Sequence, residues 1–407
     1  MQNSPLEYLA RLYGAQVCED ENGIPSFFVR FPKMTSRELD ESLPDRTHPA
    51  FWVDGEEQDA IYLGKYKAAA VSGDGSDGGG LYSLPGVPPA RLRTADEALL
   101  QMRAFGNGAS GMTVADRGFL LLLAQKEGWT PGGNCAFGHD EADATPYTTG
   151  TRLNAGEKIG YRGWLYGCKQ GHTTAEDRLP DKTPTYFTRI RRIGGAEAYA
   201  DLHESGQENL LLTMNASGPA GWYLGGDITG LCDAAGNQAE TDYGYRILDG
   251  ELQVLPDNDA ANPEADLSRE SDAWRAILPN GEDDGHTLVA PGTEGTLHWV
   301  WQNGKITLST SKPSFDGYTR KTAFADLATD LAHVPALVRE LGLFPTEKSR
   351  TAGVCAVTFA RGEYLPRRGG SYDSGAEMGL GGEDCAYGRS RADTRYGARM
   401  RMLGERR

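Results

Sequence analysis

Two pairs of metal-binding residue types repeat one spacing. Cys135-x-x-x-His139 and Cys168-x-x-x-His172 each offer a thiol and an imidazole. Four such donors suit a tetrahedral structural Zn2+ site, which would staple a polar stretch that lacks a core of its own. Coincidence among the many spacings of a long chain is the competing reading. The other cysteines (18, 232, 355 and 385) are widely scattered, the pattern of a reduced chain rather than a disulfide framework. The seven His stand at least twelve residues apart, with no His-x-x-x-His pair. A GxSxG elbow, a P-loop and an HExxH helix are all missing. An EF-hand loop beginning at Asp257 would need an oxygen ligand where Ala261 stands, so the acidic run there reads as a solvated loop.

A second constellation lies near the C-terminus. Ser371, Tyr372, Asp373, Ser374, Glu377, Gly381, Glu383, Asp384, Ala386, Tyr387, Arg391, Asp393 and Arg395 mix rigid aromatic, small polar and charged side chains. Gly369, Gly370 and Gly375 interrupt them, and glycine there is turn chemistry. Tyr among Ser, Asp and Gly on a loop scaffold resembles a paratope, in which Tyr supplies contact area and the small polar residues supply adaptable hydrogen bonds. With so many charges, the segment is expected to form one exposed, contiguous patch. Arg368, Arg389 and Arg399 are expected instead to tie the scaffold together.

Charge narrows the partners. The formal net charge is −16, yet residues 361–407 hold ten Arg against seven acidic residues. The acidic whole disfavours nucleic acid, and the basic, Tyr-bearing end suits an anionic glycan or an acidic protein. No apolar run approaches the length of a membrane span, so no membrane insertion is expected. The start MQNSPLEYLARLYG does not read as a Sec signal.

The elements that must hold these residues are short. Residues 1–45 read as a small N-terminal arm or module: a helix over 5–13, a turn at 21–23 and a strand over 26–31. Asp54-Gly55 predicts a tight hairpin turn between strands 50–53 and 60–66. Residues 73–80 are too glycine-rich to pack. Thr94-x-x-Glu97 opens a helix over 95–105, and Thr113 with Asp116 opens another that stops at Gly128. A long insertion, about 135–220, follows, with no sustained periodicity over 145–185. Short strands over 222–310, a helix pair or a helix kinked at Pro335 over 324–342, and strands flanking glycine over 353–403 complete the chain.

The run Arg368-Gly369-Gly370-Ser371-Tyr372, then Arg389-Ser390, then Gly397-Ala398-Arg399 resembles the closing segment of the formylglycine-generating-enzyme branch of C-type-lectin folds; only the Phe of its Gly-Phe-Arg is replaced. HPAF at 48–51, IYLGKY at 61–66, the YSLPG turn, Met112-Thr113 and GGDITGLCDAAGN at 225–237 are similar to further landmarks of a phage and prophage subgroup. That subgroup includes variable proteins of diversity-generating retroelements. The resemblance implies an α+β, C-type-lectin-like domain over 48–403 with long loop insertions and a ligand-binding segment at 368–399. It implies a non-enzymatic receptor-binding or tail-associated phage protein, carried on the virion after cytoplasmic synthesis rather than Sec-secreted. Its partner would be a host-surface protein or glycan, or other virion tail proteins. The enzymes of this branch bind copper through two cysteines placed after the Gly-Gly-Ser-Tyr motif. Those places fall on Ser374 and Gly379 here, so oxidase activity is disfavoured and no cofactor is expected beyond the structural zinc. The rival readings are such an oxidase and a purely structural virion component.

Overall fold

A computed structural model of the chain describes residues 5–71, 79–140, 145, 147–162, 164–192, 198–200, 211–280, 285–347 and 351–404. Most of the glycine-rich 73–80 stretch, and parts of the 135–220 insertion, lie outside the described residues. The class is α+β. Among the described residues no helix is long and apolar enough to cross a membrane.

The two ends of the chain meet in a five-stranded sheet ordered Gln16–Glu19, Pro25–Pro32, Ala60–Gly64, Met400–Met402, Ala109–Gly111. Leu63 pairs with Arg401, and Arg401 pairs on its other side with Ser110. Within the stretch read as an N-terminal arm or small module, Pro25–Pro32 pairs with Ala60–Gly64, and Val29, Phe31, Leu39 and Leu43 join the main core. The segment 353–403 supplies Met400–Met402 to this sheet and Cys355, Val357, Phe359, Leu380 and Cys385 to the same core.

Local turn chemistry explains the hairpins. Asp54-Gly55, Asp249-Gly250 and Asn303-Gly304 each take φ > 0 at both positions. A two-residue turn of this hand matches the twist of antiparallel strands, and Asn or Asp followed by Gly adopts it at least strain. The Asp54-Gly55 hairpin joins Trp52–Val53 to Glu56–Glu57 only; the next strand, Ala60–Gly64, leaves it for the central sheet. Over 324–342 the expected helix pair gives way to a 3-10 turn, Phe324–Asp326, and a bridge of Ala328–Thr329 to Lys305–Ser309. A short helix, Ala336–Glu340, follows behind Pro335. The apolar spacing that suggested a helix pair or a helix kinked at Pro335 serves the core instead. Residues 145–185 also differ from expectation. Lys158–Tyr161, Trp164–Cys168 and Phe187–Arg192 form a three-stranded sheet around a small core of Leu153, Ile159, Tyr166, Cys168 and Phe187.

Both predicted helices form, Ala95–Arg103 and Val114–Lys126, each opened by its capping box. The second is buried almost all round. At Gly118 a Cβ would stand 2.0 Å from the Glu340 carbonyl oxygen, so only glycine admits the short helix there. Its first turn is an ionic anchor: Asp116 caps Thr113 and accepts from Arg401 Nε at 3.1 Å. Arg117 donates to both Glu240 and Asp242. Glu240 also accepts from Lys67 at 2.8 Å and from Arg399 at 2.7 Å. Burial alone would raise its pKa, but Arg399, Lys67 and Arg117 outweigh burial and hold it well below the ordinary carboxylate range. Arg399 further donates to the carbonyls of Gly64, Lys65, Cys232 and Asp233, tying two more segments to the C-terminal strand.

Candidate functional site

The C-terminal constellation is mounted on a six-stranded sheet ordered Thr319–Ala323, Val354–Thr358, Gly379–Cys385, Arg367–Gly369, Ala239–Thr241, Tyr396–Gly397. Alternation along each strand gives the sheet two chemically different faces. Register places Thr322, Cys355, Glu383, Arg368 and Glu240 in one row across five strands. That row faces inward, where Arg368 donates to the carbonyl oxygens of Leu341 and Gly342. The neighbouring row, Lys321, Ala356, Asp384, Arg367 and Thr241, faces the other way, with Ala239 and Tyr396 beside it.

This second face is the floor of a cavity of about 390 Å3. Two loops wall it. The first leaves the sheet at Gly369-Gly370, both with φ near +85° (89° and 81°), after a bulge between Arg368 and Gly369. Ser371 Oγ donates to Asp373 Oδ1 at 2.7 Å, and Ser374 Oγ accepts from the Ser371 N–H at 2.8 Å. At the open edge Glu377 is held by Lys321 at 2.7 Å, both exposed, so salt will screen the pair. The second wall is a ladder of cations and rings. The Arg391 guanidinium lies 4.9 Å from the Tyr387 ring centroid. Tyr387 meets Tyr396 at 5.9 Å, and Arg367 and Arg395 approach the Tyr396 ring at 5.2 and 5.5 Å. Tyr396 Oη donates to Asp384 Oδ2 at 2.9 Å. Stacking fixes the arginine planes, which costs less entropy on binding than free side chains would.

Electrostatics differ between floor and rim. Burial lowers the pKa of Arg367, and its Nε has no hydrogen-bond partner among the described residues. Burial also raises that of Glu383, against the pull of Arg368. On the rim, burial works against the Asp393 charge, yet bonds from Arg395 and Arg391 pull it down to about 2. Asp393 therefore keeps its charge at any physiological pH.

Of the expected contact residues, Ser371, Asp373, Ser374, Glu377, Glu383, Asp384, Ala386, Tyr387 and Arg395 line the cavity. Arg391 and Asp393 stand just behind it, bracing Tyr387 and Arg395. The expectation of a mostly exposed patch fails: Ser371, Tyr372, Gly381 and Glu383 are buried, Asp373, Glu377 and Arg391 are exposed, and the other six are half-buried. Tyr372 is 0% exposed: its ring packs on Phe137 and Leu212, and its hydroxyl meets Thr394 Oγ1 at 2.9 Å. At Gly381 a Cβ would strike the Phe324 ring at 2.7 Å, and Glu383 belongs to the inward row. The residues that sequence reasoning missed, Thr319, Lys321, Ala356, Ala239, Arg367 and Tyr396, come from strands whose pairing across up to 157 positions no local pattern announces.

Arg368, Arg389 and Arg399 hold the scaffold as expected. Arg389 joins Glu363 at 3.1 Å to Asp96 at 2.6 Å.

The four zinc candidates are not gathered. Among the described residues no group of three or more His, Cys, Asp or Glu could hold a metal ion. Cys168 Sγ lies 3.6 Å from His172 Nδ1, and the His172 ring is spent on Tyr186 and Phe187 at 4.6 and 5.0 Å inside the small sheet's core. Cys135 and His139 instead shape a turn: Cys135 N–H donates to the His139 carbonyl at 2.9 Å, and the Cys135 carbonyl accepts from Gly375 N–H at 2.8 Å. That turn supports the first loop of the cavity. Burial pushes the His139 pKa down to about 4. Compared with known proteins, the chain matches no family model and no curated protein.

Proposed function

We propose that the chain is a non-enzymatic binding protein that takes its ligand on the outward face of the six-stranded sheet. One observation carries the reading: loop residues singled out for their chemistry converge with strand residues on a single cavity of about 390 Å3, within the size range of ligand sites. Its lining is rich in Tyr, Ser, Asp and Arg and includes neither His nor Cys among the described residues. Cys355 and Cys385 lie on the sheet's other face, fully buried or nearly so, and burial raises both thiols far from the thiolate form. Such a lining suits noncovalent recognition of a polar surface, a host-surface protein or glycan, by stacking and adaptable hydrogen bonds.

The pairing of an early strand, Ala60–Gly64, with the last, Met400–Met402, and the Arg-Gly-Gly-Ser-Tyr turn that feeds the cavity, support a C-type-lectin fold of the formylglycine-generating-enzyme branch. Within that reading the protein serves a phage as a receptor-binding or tail-associated component, with a loop surface that tolerates variation because the ionic anchor behind it is separate. The test is flow cytometry of fluorescently labelled protein on a panel of bacterial cells. Saturable binding to some strains, lost in Tyr387→Ala with the unfolding midpoint retained, is expected. Binding that Tyr387→Ala leaves intact would overturn the assignment.

A further inference from the structure

A second cavity, of about 360 Å3, shares no lining residue with the first. It opens between the turn Pro256–Ala261, the strand His286–Val289, the helix Ala336–Glu340 and the start of the helix Val114–Lys126. Trp52, Leu255, Leu288 and Leu337 give it an apolar body. Its wall is held in an unfavourable conformation: Asp257 and Asn258 are consecutive non-glycine residues at φ 45° and 53°. Such strain persists only where surroundings enforce it. Here Asn258 Nδ2 donates to the Ala50 carbonyl at 3.4 Å, and Asp259 Oδ1 accepts from Asp54 N–H at 2.8 Å.

The polar groups lie at one end. Arg46 donates through Nε and Nη2 to Glu340, which is fully buried and also accepts from Ser36 Oγ at 2.6 Å. The carboxylate is thus saturated behind the guanidinium, and Arg46 Nη1 makes no hydrogen bond among the described residues. The His286 ring, half-buried, makes none there either; burial first, and the nearby Arg46 second, lower its pKa. Asp257 is the acidic residue on the lining, and its side chain is exposed.

We infer that this cavity binds a small amphipathic carboxylate, its chain among Trp52, Leu255, Leu288 and Leu337 and its head group on Arg46 Nη1 and the His286 imidazole. An apolar cavity with donors at one end selects orientation by the head group and gains affinity from the body. The inference does not depend on the first cavity.

The experiment is isothermal titration calorimetry with octanoate and with 1-octanol as the uncharged control. Octanoate should bind once per chain; 1-octanol and octanoate on His286→Ala should each bind about tenfold more weakly, the scale of one charge-assisted hydrogen bond. Leu288→Trp, on an edge strand, should fill the cavity and abolish binding, with Leu337→Phe as the alternative if it does not fold; Tyr387→Ala should bind as wild type. No octanoate binding at millimolar concentration, equal binding of 1-octanol, or undiminished binding by a folded, filled variant would overturn the inference.

Discussion

Replacing Tyr372 tests whether the loop at 371–377 is scaffold or contact surface. Its backbone bonds, N–H to the Asn237 carbonyl at 3.0 Å and carbonyl from the Phe137 N–H at 2.7 Å, survive any substitution except proline. The side chain does not. Tyr372→Ala removes a fully buried ring from Phe137 and Leu212 and leaves a cavity, a change that costs about 3–5 kcal/mol for large aromatics. Tyr372→Phe keeps the ring and removes the 2.9 Å bond to Thr394 Oγ1, whose hydroxyl still has Asp393 Oδ1 at 3.5 Å, at a cost of about 1 kcal/mol. Urea unfolding followed by tryptophan fluorescence and circular dichroism, at unchanged m-value, should rank wild type above Phe above Ala. An Ala variant within about 1 kcal/mol of wild type that nevertheless loses cell binding would refute this and return Tyr372 to the contact surface.

Arg399→Ala should destabilise by about 3–5 kcal/mol, because it leaves part of the Glu240 charge and four carbonyls without their donor; denaturant titration checks it. Acid should weaken the fold through His48, whose burial depresses its pKa from 6.5 to about 4. The unfolded chain binds the proton first, so this stability is full above pH 6.5 and is lost as pH falls toward 4, about 3 kcal/mol for this group. His48→Asn, which retains an acceptor for the Ala50 N–H, should be less stable at pH 7.5 but show a flatter stability profile between pH 6.5 and 4. Gly118→Ala should lower the unfolding midpoint more than an ordinary Gly-to-Ala change in a helix, which is commonly stabilising, since its Cβ meets backbone.

What could be read from the sequence, and what could not, follows the range of the forces involved. Capping boxes at Thr94 and Thr113 and the two-residue turn at Asp54 are decided within four residues, and the elements form there. Arg368 and Arg399 were separable from their neighbours as scaffold. Burial of Tyr372 and Glu383 was not, because it depends on Phe137, Leu212 and Arg368, brought close only by tertiary pairing. The Cys–His spacings misled for a related reason. Equal spacing says nothing about convergence when one pair lies inside a small sheet's core and the other forms a turn. The helix expected across Pro335 failed because apolar positions that fit a helical period also fit irregular chain packed on a core.

The outward face of the six-stranded sheet is tested most directly by obstructing it. Ser374 is half-buried at the rim, with its N–H donating to the Ser371 carbonyl at 3.1 Å, so Ser374→Trp adds bulk over the cavity without touching the ionic anchor. Equilibrium binding of labelled wild type, Ser374→Trp and Leu288→Trp to a responsive bacterial strain should show loss in Ser374→Trp alone, with all three retaining cooperative unfolding. Equal binding by folded Ser374→Trp and wild type would contradict the assignment of this face as the site of recognition.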